Sequence, residues 1–142
     1  MILLDTNVIS EPMKPRPDAA VMAWLDAQPV EDVYISTVTV AELEYGIRLL
    51  PEGRRRDSLQ AALSDLLEIE FANRIWSFDL PASRNYGEIP ASRRAAGLPI
   101  STQDCQIAAV ARSRGAVVAT RNVDDFKGCN VQIVNPWNQP IE

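Results

Sequence analysis

The sequence has no histidine, two cysteines, three each of tryptophan, tyrosine and phenylalanine, and fewer basic than acidic residues. Without histidine there is no Ser-His-Asp triad, no imidazole acid–base chemistry for RNA cleavage and no histidine-bound zinc. Cys105 and Cys129 form no metal-type cluster, and such a lone pair reads as belonging to a reducing compartment. No apolar stretch approaches the roughly 18 residues that span a bilayer. The opening MILLDTN lacks the basic segment and the apolar core of about 7 to 15 residues that mark an export signal. A protein that is not exported, stays in the cytoplasm and makes no use of a membrane is therefore expected. With 14 Lys and Arg against 19 Asp and Glu, a net charge of -5, global electrostatics does not draw nucleic acid to the chain. A bound cation or a local basic patch has to do so. Any hydrolysis must lean on carboxylates, and a hard metal held by oxygen ligands suits them.

The 142 residues, 46% of them hydrophobic, are enough to bury about two-thirds of the unfolded surface in one domain spanning 1–142. Ile2 to Leu4 reads as a buried strand that stops sharply at Asp5-Thr6-Asn7. A loop punctuated by Pro12, Pro15 and Pro17 leads to a helix over 18–27, and Val33 to Ser36 reads as a second strand. Thr37 then suits the cap of a helix over 38–50, where Val40, Leu43, Ile47 and Leu50 form one stripe. A further helix is expected over 54–68 and a short strand over 75–78. Residues 82–96 read as helix kinked or divided by Pro90. Ser101-Thr102-Gln103-Asp104 has the form of a capping box, opening a helix that ends at Gly115. Val117 to Ala119 and Val131 to Val134 complete the strands, the last at an edge. Strands alternating with helices predict an α/β layer fold on a mainly parallel sheet, with ligands beyond the carboxyl ends of the strands.

That rule gives the acids a shared address. Asp5 follows the first strand, Glu42 lies soon after the second, Asp104 opens a helix, and Asp124 and Asp125 follow the Val117 strand. Carboxylates forced together repel and raise one another's pKa unless a cation intervenes, so such a convergence is a candidate metal site. Each acid also has a structural reading. Asp5 suits a turn cap, Asp104 a capping-box acid, and Asp124 and Asp125 a polar turn. Glu42 and Glu44 flank the Leu43 stripe, but only Glu44 has an arginine, Arg48, at i+4, which places Glu44 at the surface.

The segments MILLDTNVISE, STVTVAELEYGI, ISTQDCQIAAVA and VATRNVDDF, in that order over residues 1–126, resemble the four sequence blocks of the PIN-domain family. More narrowly they resemble its VapC-type toxins of toxin–antitoxin pairs. The resemblance implies a three-layer α/β/α sandwich and an acid cluster that holds Mg²⁺ or Mn²⁺ for cleavage of RNA phosphodiesters, leaving 5′-phosphate and 3′-hydroxyl ends. Carried onto matching positions, it puts metal ligation on Asp5, Glu42 and Asp104. The fourth acid position of the pattern falls on Asn122, with Asp124 or Asp125 as substitutes, and Asp124 is taken as the additional catalytic acid. Thr6, Asn7, Asn122 and Ser36 are candidates to orient these groups. The resemblance also implies a homodimer and a hetero-oligomer with a cognate antitoxin that reaches the acids, with DNA met only through the antitoxin.

For RNA contact, Arg54-Arg55-Arg56, Arg93-Arg94 and Arg112 with Arg114 offer positive charge, whereas Trp24 and Trp76 suit the core. Two rival readings remain. A haloacid-dehalogenase-like phosphatase needs a second aspartate where Asn7 stands. A catalytically silent PIN-like interaction module would keep the acids as a docking surface.

Overall fold

The architecture comes from a computed structural model that describes residues 1–138; residues 139–142 of the expected domain lie outside the described residues. In chain order the elements are β1 (Ile2–Leu4), α1 (Thr6–Ser10), α2 (Ala19–Ala27), β2 (Val33–Ser36), α3 (Thr37–Arg48), α4 (Arg54–Asp65), β3 (Ile75–Trp76), α5 (Leu80–Tyr86), α6 (Glu88–Ala95), α7 (Thr102–Arg114), β4 (Val117–Ala119), α8 (Val123–Phe126) and β5 (Ile133–Val134).

The strands pair in the order β3-β2-β1-β4-β5, and every pairing is parallel. Alternation along each strand separates two cores. Leu3 and Val118 are buried on the face covered by Ala82 of α5, Ile89 of α6 and the apolar residues of α7. Leu4, Ile35 and Ala119 are buried on the other, with Leu43 and Ile47 of α3 and Leu63 of α4. Helices on both faces give the expected α/β/α sandwich. The chain reverses its direction of growth between β1 and β4, which makes the carboxyl ends of those two strands the switch point of the sheet.

Several expected boundaries move for local reasons. Ser36, not Thr37, caps α3: its hydroxyl accepts the Thr39 N–H at 3.2 Å, while Thr37 is the first helical residue and its hydroxyl accepts the Phe78 N–H. The helix expected over 54–68 ends at Asp65 and passes into a π-helical turn, Leu66–Glu70. The stretch 82–96 is divided at Gly87 rather than at Pro90, which sits third in α6, where a missing N–H does least harm. The Tyr86 carbonyl that a residue-90 N–H would have met instead faces the Cys105 thiol at 3.8 Å. The edge strands are shorter than expected, and the short helices α1 and α8 were not legible at all. Gly115 ends α7 in the left-handed conformation, φ 65°.

The cap assignment yields an expected outcome. Ser36→Ala should lower stability by about 1 kcal/mol, within the 0.5 to 2 kcal/mol range of lost caps, and Thr37→Ala by clearly less. Chemical denaturation of both variants decides it; a larger loss from Thr37→Ala would return the cap to that residue.

Candidate active site

Parallel register delivers the first acid. Leu4 pairs with Ala119, and the Asp5 N–H donates to the Ala119 carbonyl at 2.9 Å, so Asp5 lies beside Thr120 at the switch point. Asp5 is 4% exposed and caps α1, its Oδ1 accepting the Thr6 N–H at 2.8 Å. Its Oδ2 accepts the Thr120 hydroxyl at 2.8 Å and the Asn7 amide at 3.2 Å. Thr120 is fully buried and also accepts the Asn122 N–H at 3.0 Å, while Asn7 Oδ1 accepts the Arg121 N–H.

The second acid is joined to the first through one residue, Thr6, whose N–H donates to Asp5. The Thr6 hydroxyl donates to Glu42 Oε1 at 3.0 Å and lies 3.1 Å from the Thr39 hydroxyl. Asp104 stands in the first turn of α7, its N–H donating to the Ser101 hydroxyl at 3.1 Å.

Burial pushes the Asp5 carboxyl up to about 6; the negative charges of Asp104 and Glu42 add to this, against the bonds from Thr120 and Thr6. Burial likewise raises Glu42, with Asp104's charge adding and the Thr6 bond opposing. Asp104 is raised by burial and by the charge of Asp125, while Ser101 and Arg93 oppose. The expected acids are therefore close enough to feel one another as charges.

The segment after β4 behaves differently from expectation. Asp124 is turned away: its carboxylate pairs with Lys127 at 2.7 Å, which lowers its pKa, and its side chain is 87% exposed. Asp125 is the acid of that turn whose charge reaches Asp104. Asn122 joins through its backbone N–H rather than its amide, and Ser36 is occupied in capping α3. The Glu44–Arg48 pair suggested by spacing is absent from the ion pairs among the described residues.

Two basic runs also resolve otherwise. Arg93 is 3% exposed and donates to backbone carbonyls, so it presents no charge to RNA. Arg112 pairs with Glu88, and Arg114 pairs with Asp79 at 3.2 Å while lying over the Trp76 ring. Arg54, Arg55 and Arg94 are exposed. Sequence reading missed Thr120 and Thr39 as site residues; a polar residue directly after β4, level with Asp5 after β1, was the available signal for Thr120.

The donor set suits a hard cation. A carboxylate offers about four lone-pair sites, and Asp5 uses three on Thr6, Thr120 and Asn7, leaving one open. Among the described residues no three acid or cysteine side chains are gathered tightly enough to hold an ion as they stand. Mg²⁺ held by one or two carboxylates, with water completing its shell, needs no such gathering.

A pH dependence follows. Asp5 titrates at about 6 against an ordinary 3.8, so the folded protein holds this proton more tightly than the unfolded chain. The resulting stability is complete below pH about 4 and is lost as pH rises through about 6, on the order of 3 kcal/mol in all. In chelator, unfolding free energies of wild type and Asp5→Asn should diverge by that amount between about pH 4 and pH 7, wild type losing. Parallel curves would mean that Asp5 ionises freely.

With this geometry described, the relatives can be set beside it. Residues 2–128 match the PIN domain model. The VapC ribonuclease Y4jK of Sinorhizobium fredii is 45% identical over 137 residues, spanning 96% of this chain and 98% of that protein. Toxin FitB of Neisseria gonorrhoeae is 44% identical over 138 residues, spanning 97% and 99%. A solved structure of FitAB bound to an IR36 DNA fragment is similar with a TM-score of 0.93 at 41% identity, covering 99% of both chains. A parallel five-stranded sheet with Asp5, Glu42 and Asp104 near its switch point thus coincides with similarity over nearly the full length, and the chain belongs to the PIN-domain family, with VapC and FitB toxins among its relatives.

Proposed function

We propose that this chain is an endoribonuclease that uses Mg²⁺ or Mn²⁺, acting as the toxin of a toxin–antitoxin pair. One observation carries the reading: three separated segments bring Asp5, Glu42 and Asp104 toward the switch point, where the charges of Asp104 and Glu42 raise the pKa of Asp5 and the charge of Asp104 raises that of Glu42. The ribonuclease and toxin names of relatives at 44% identity and above support the same assignment. A silent docking module is less well supported, because it has no need of crowded carboxylates with open lone pairs.

Asp5, Glu42 and Asp104 would hold the ion. When bound, a divalent metal supplies Lewis-acid stabilisation of phosphoryl charge and an activated water for in-line displacement. The chain's own residues orient and exclude. Thr120 and Asn7 fix the Asp5 carboxylate, Thr6 ties Asp5 to Glu42, and near-complete burial of Asp5 strengthens each charge by keeping water out.

An open groove of about 410 Å³ runs from Glu42 between α3 and α7, lined by Thr37, Tyr45, Gln103 and Gln106. Tyr45 is 67% exposed there and offers a stacking face to an unpaired base, which suits single-stranded RNA. The FitAB–DNA structure suggests that DNA is met through an antitoxin partner, consistent with the net charge of -5 on this chain. Among the described residues no helix is long and apolar enough to cross a membrane. We place the chain in the cytoplasm, as one domain over 1–142 that forms a homodimer before joining its antitoxin.

Purified protein should cleave single-stranded RNA with Mg²⁺ or Mn²⁺ and stop when the metal is chelated; undiminished activity in excess chelator would sink the metal mechanism. Glu42→Gln and Asp125→Asn should each lose at least tenfold in rate, while Glu44→Gln and Asp124→Asn keep most of it. Tyr45→Ala should raise KM at least fivefold with kcat little changed, since one stacked base contributes about 1 to 3 kcal/mol. Steady-state kinetics on a labelled oligonucleotide measures all five variants, and equal losses within either acid pair would overturn that assignment.

A further inference from the structure

Arg93 is 3% exposed, yet among the described residues its guanidinium meets no carboxylate within bonding distance. It donates instead to three main-chain carbonyls: Nη1 to Asp124 at 2.9 Å and to Lys127 at 2.6 Å, and Nη2 to Pro99 at 2.8 Å. Its Nε is buried and has no hydrogen-bond partner among the described residues. Taking a full charge out of water is costly unless it is well bonded, so this placement needs a reason.

The three carbonyls supply one. Asp124 lies beside Asp125 on a helix of four residues, α8, and Lys127 closes that helix. Pro99 lies two residues before Ser101, the cap that sets Asp104 in the first turn of α7. One rigid, planar fork therefore bonds both segments that present the facing acids, and planar guanidinium geometry suits such multiple bonding better than a compact ammonium. Gly128 follows at φ 78°, a left-handed conformation that favours glycine, and a Cβ there would make only ordinary van der Waals contact with Arg93 Cδ, at 3.7 Å.

We propose that Arg93 is a positioning residue that clamps the Asp125 turn to the start of α7 and so sets the spacing of Asp125 and Asp104. The inference rests on the ribonuclease reading for its catalytic consequence, but not for the clamp itself. In the α6 stripe Arg93 faces inward with Ile89, and the cation it buries helps to balance the acids it spaces.

The test uses the full chain as wild type, Arg93→Gln, Arg93→Lys and Leu63→Ala, the last truncating a side chain buried on the opposite face of the sheet as a control for lost stability. Arg93→Gln should keep KM for single-stranded RNA within about twofold but lose at least tenfold in kcat. Backbone amides of residues 122–128 should exchange at least tenfold faster with solvent, and the rise in melting temperature on adding Mg²⁺ should shrink by half or more. Arg93→Lys should recover part of each effect. Leu63→Ala, compared below its melting transition, should show none of them. The proposal is overturned if folded Arg93 variants keep wild-type kcat and exchange, or if Leu63→Ala loses as much kcat. It is overturned equally if neither Arg93 variant folds, since Arg93 is then needed for the fold rather than for the spacing. Should wild type fail to cleave RNA, the ribonuclease reading falls, while amide exchange and the Mg²⁺ melting shift still judge the clamp.

Discussion

Burying a carboxylate that must later carry charge constrains everything around Asp5. Without donors, that group would simply stay protonated. Two donors, the Thr120 hydroxyl and the Thr6 backbone, keep its pKa near 6 instead of higher, and the Asn7 amide bonds the same carboxylate. The Thr120 bond depends on the parallel pairing of β1 with β4, because shifting that register by one residue removes Thr120 from reach and turns Leu3 and Leu4 to the wrong faces. The sheet and the site are therefore one construction.

The same pairing explains why such short elements suffice. Among the described residues no strand exceeds four residues, but β1 and β4 are buried on both sides, and α7 lies over them with Ile107, Ala108, Ala109, Val110 and Ala111 all buried. Small residues let that helix approach the sheet closely, which brings Asp104, at its start, toward the acids on β1 and α3. Asp5 as the cap of α1 and Asp104 in the first turn of α7 both sit where helix dipoles favour negative charge. Backbone geometry thus offsets part of the repulsion that crowding creates. The remainder persists in the raised pKa values, and it is what a cation would relieve.

How the second core serves the site is less direct. Helices α5, α6 and α7 cover one face, and from within that layer Arg93 reaches across to the turn after β4. A buried arginine bonded to three main-chain carbonyls links the layer's packing to the placement of Asp125. Residues with no contact to substrate are in this way tied to the spacing of the acids.

Chemical class and element order were legible in the chain itself. Absence of histidine confined hydrolysis to carboxylates, periodicity marked β1, β2, β4, α2 and α7 close to their observed bounds, and Asp5 stood at the end of a strand and Asp104 at the start of a helix. These are local signals, carried by neighbours within a few residues. What the tertiary structure decided is what long-range pairing controls. Which of two adjacent acids a neighbouring cation holds is not periodic in a four-residue helix, so Asp124 and Asp125 could not be told apart until Lys127 took the former. An arginine in an Arg-Arg pair looks like surface until three distant carbonyls claim it, as they do Arg93. Thr120 became part of the site only because Ala119 pairs with Leu4, a contact 115 residues apart in sequence that no local pattern encodes.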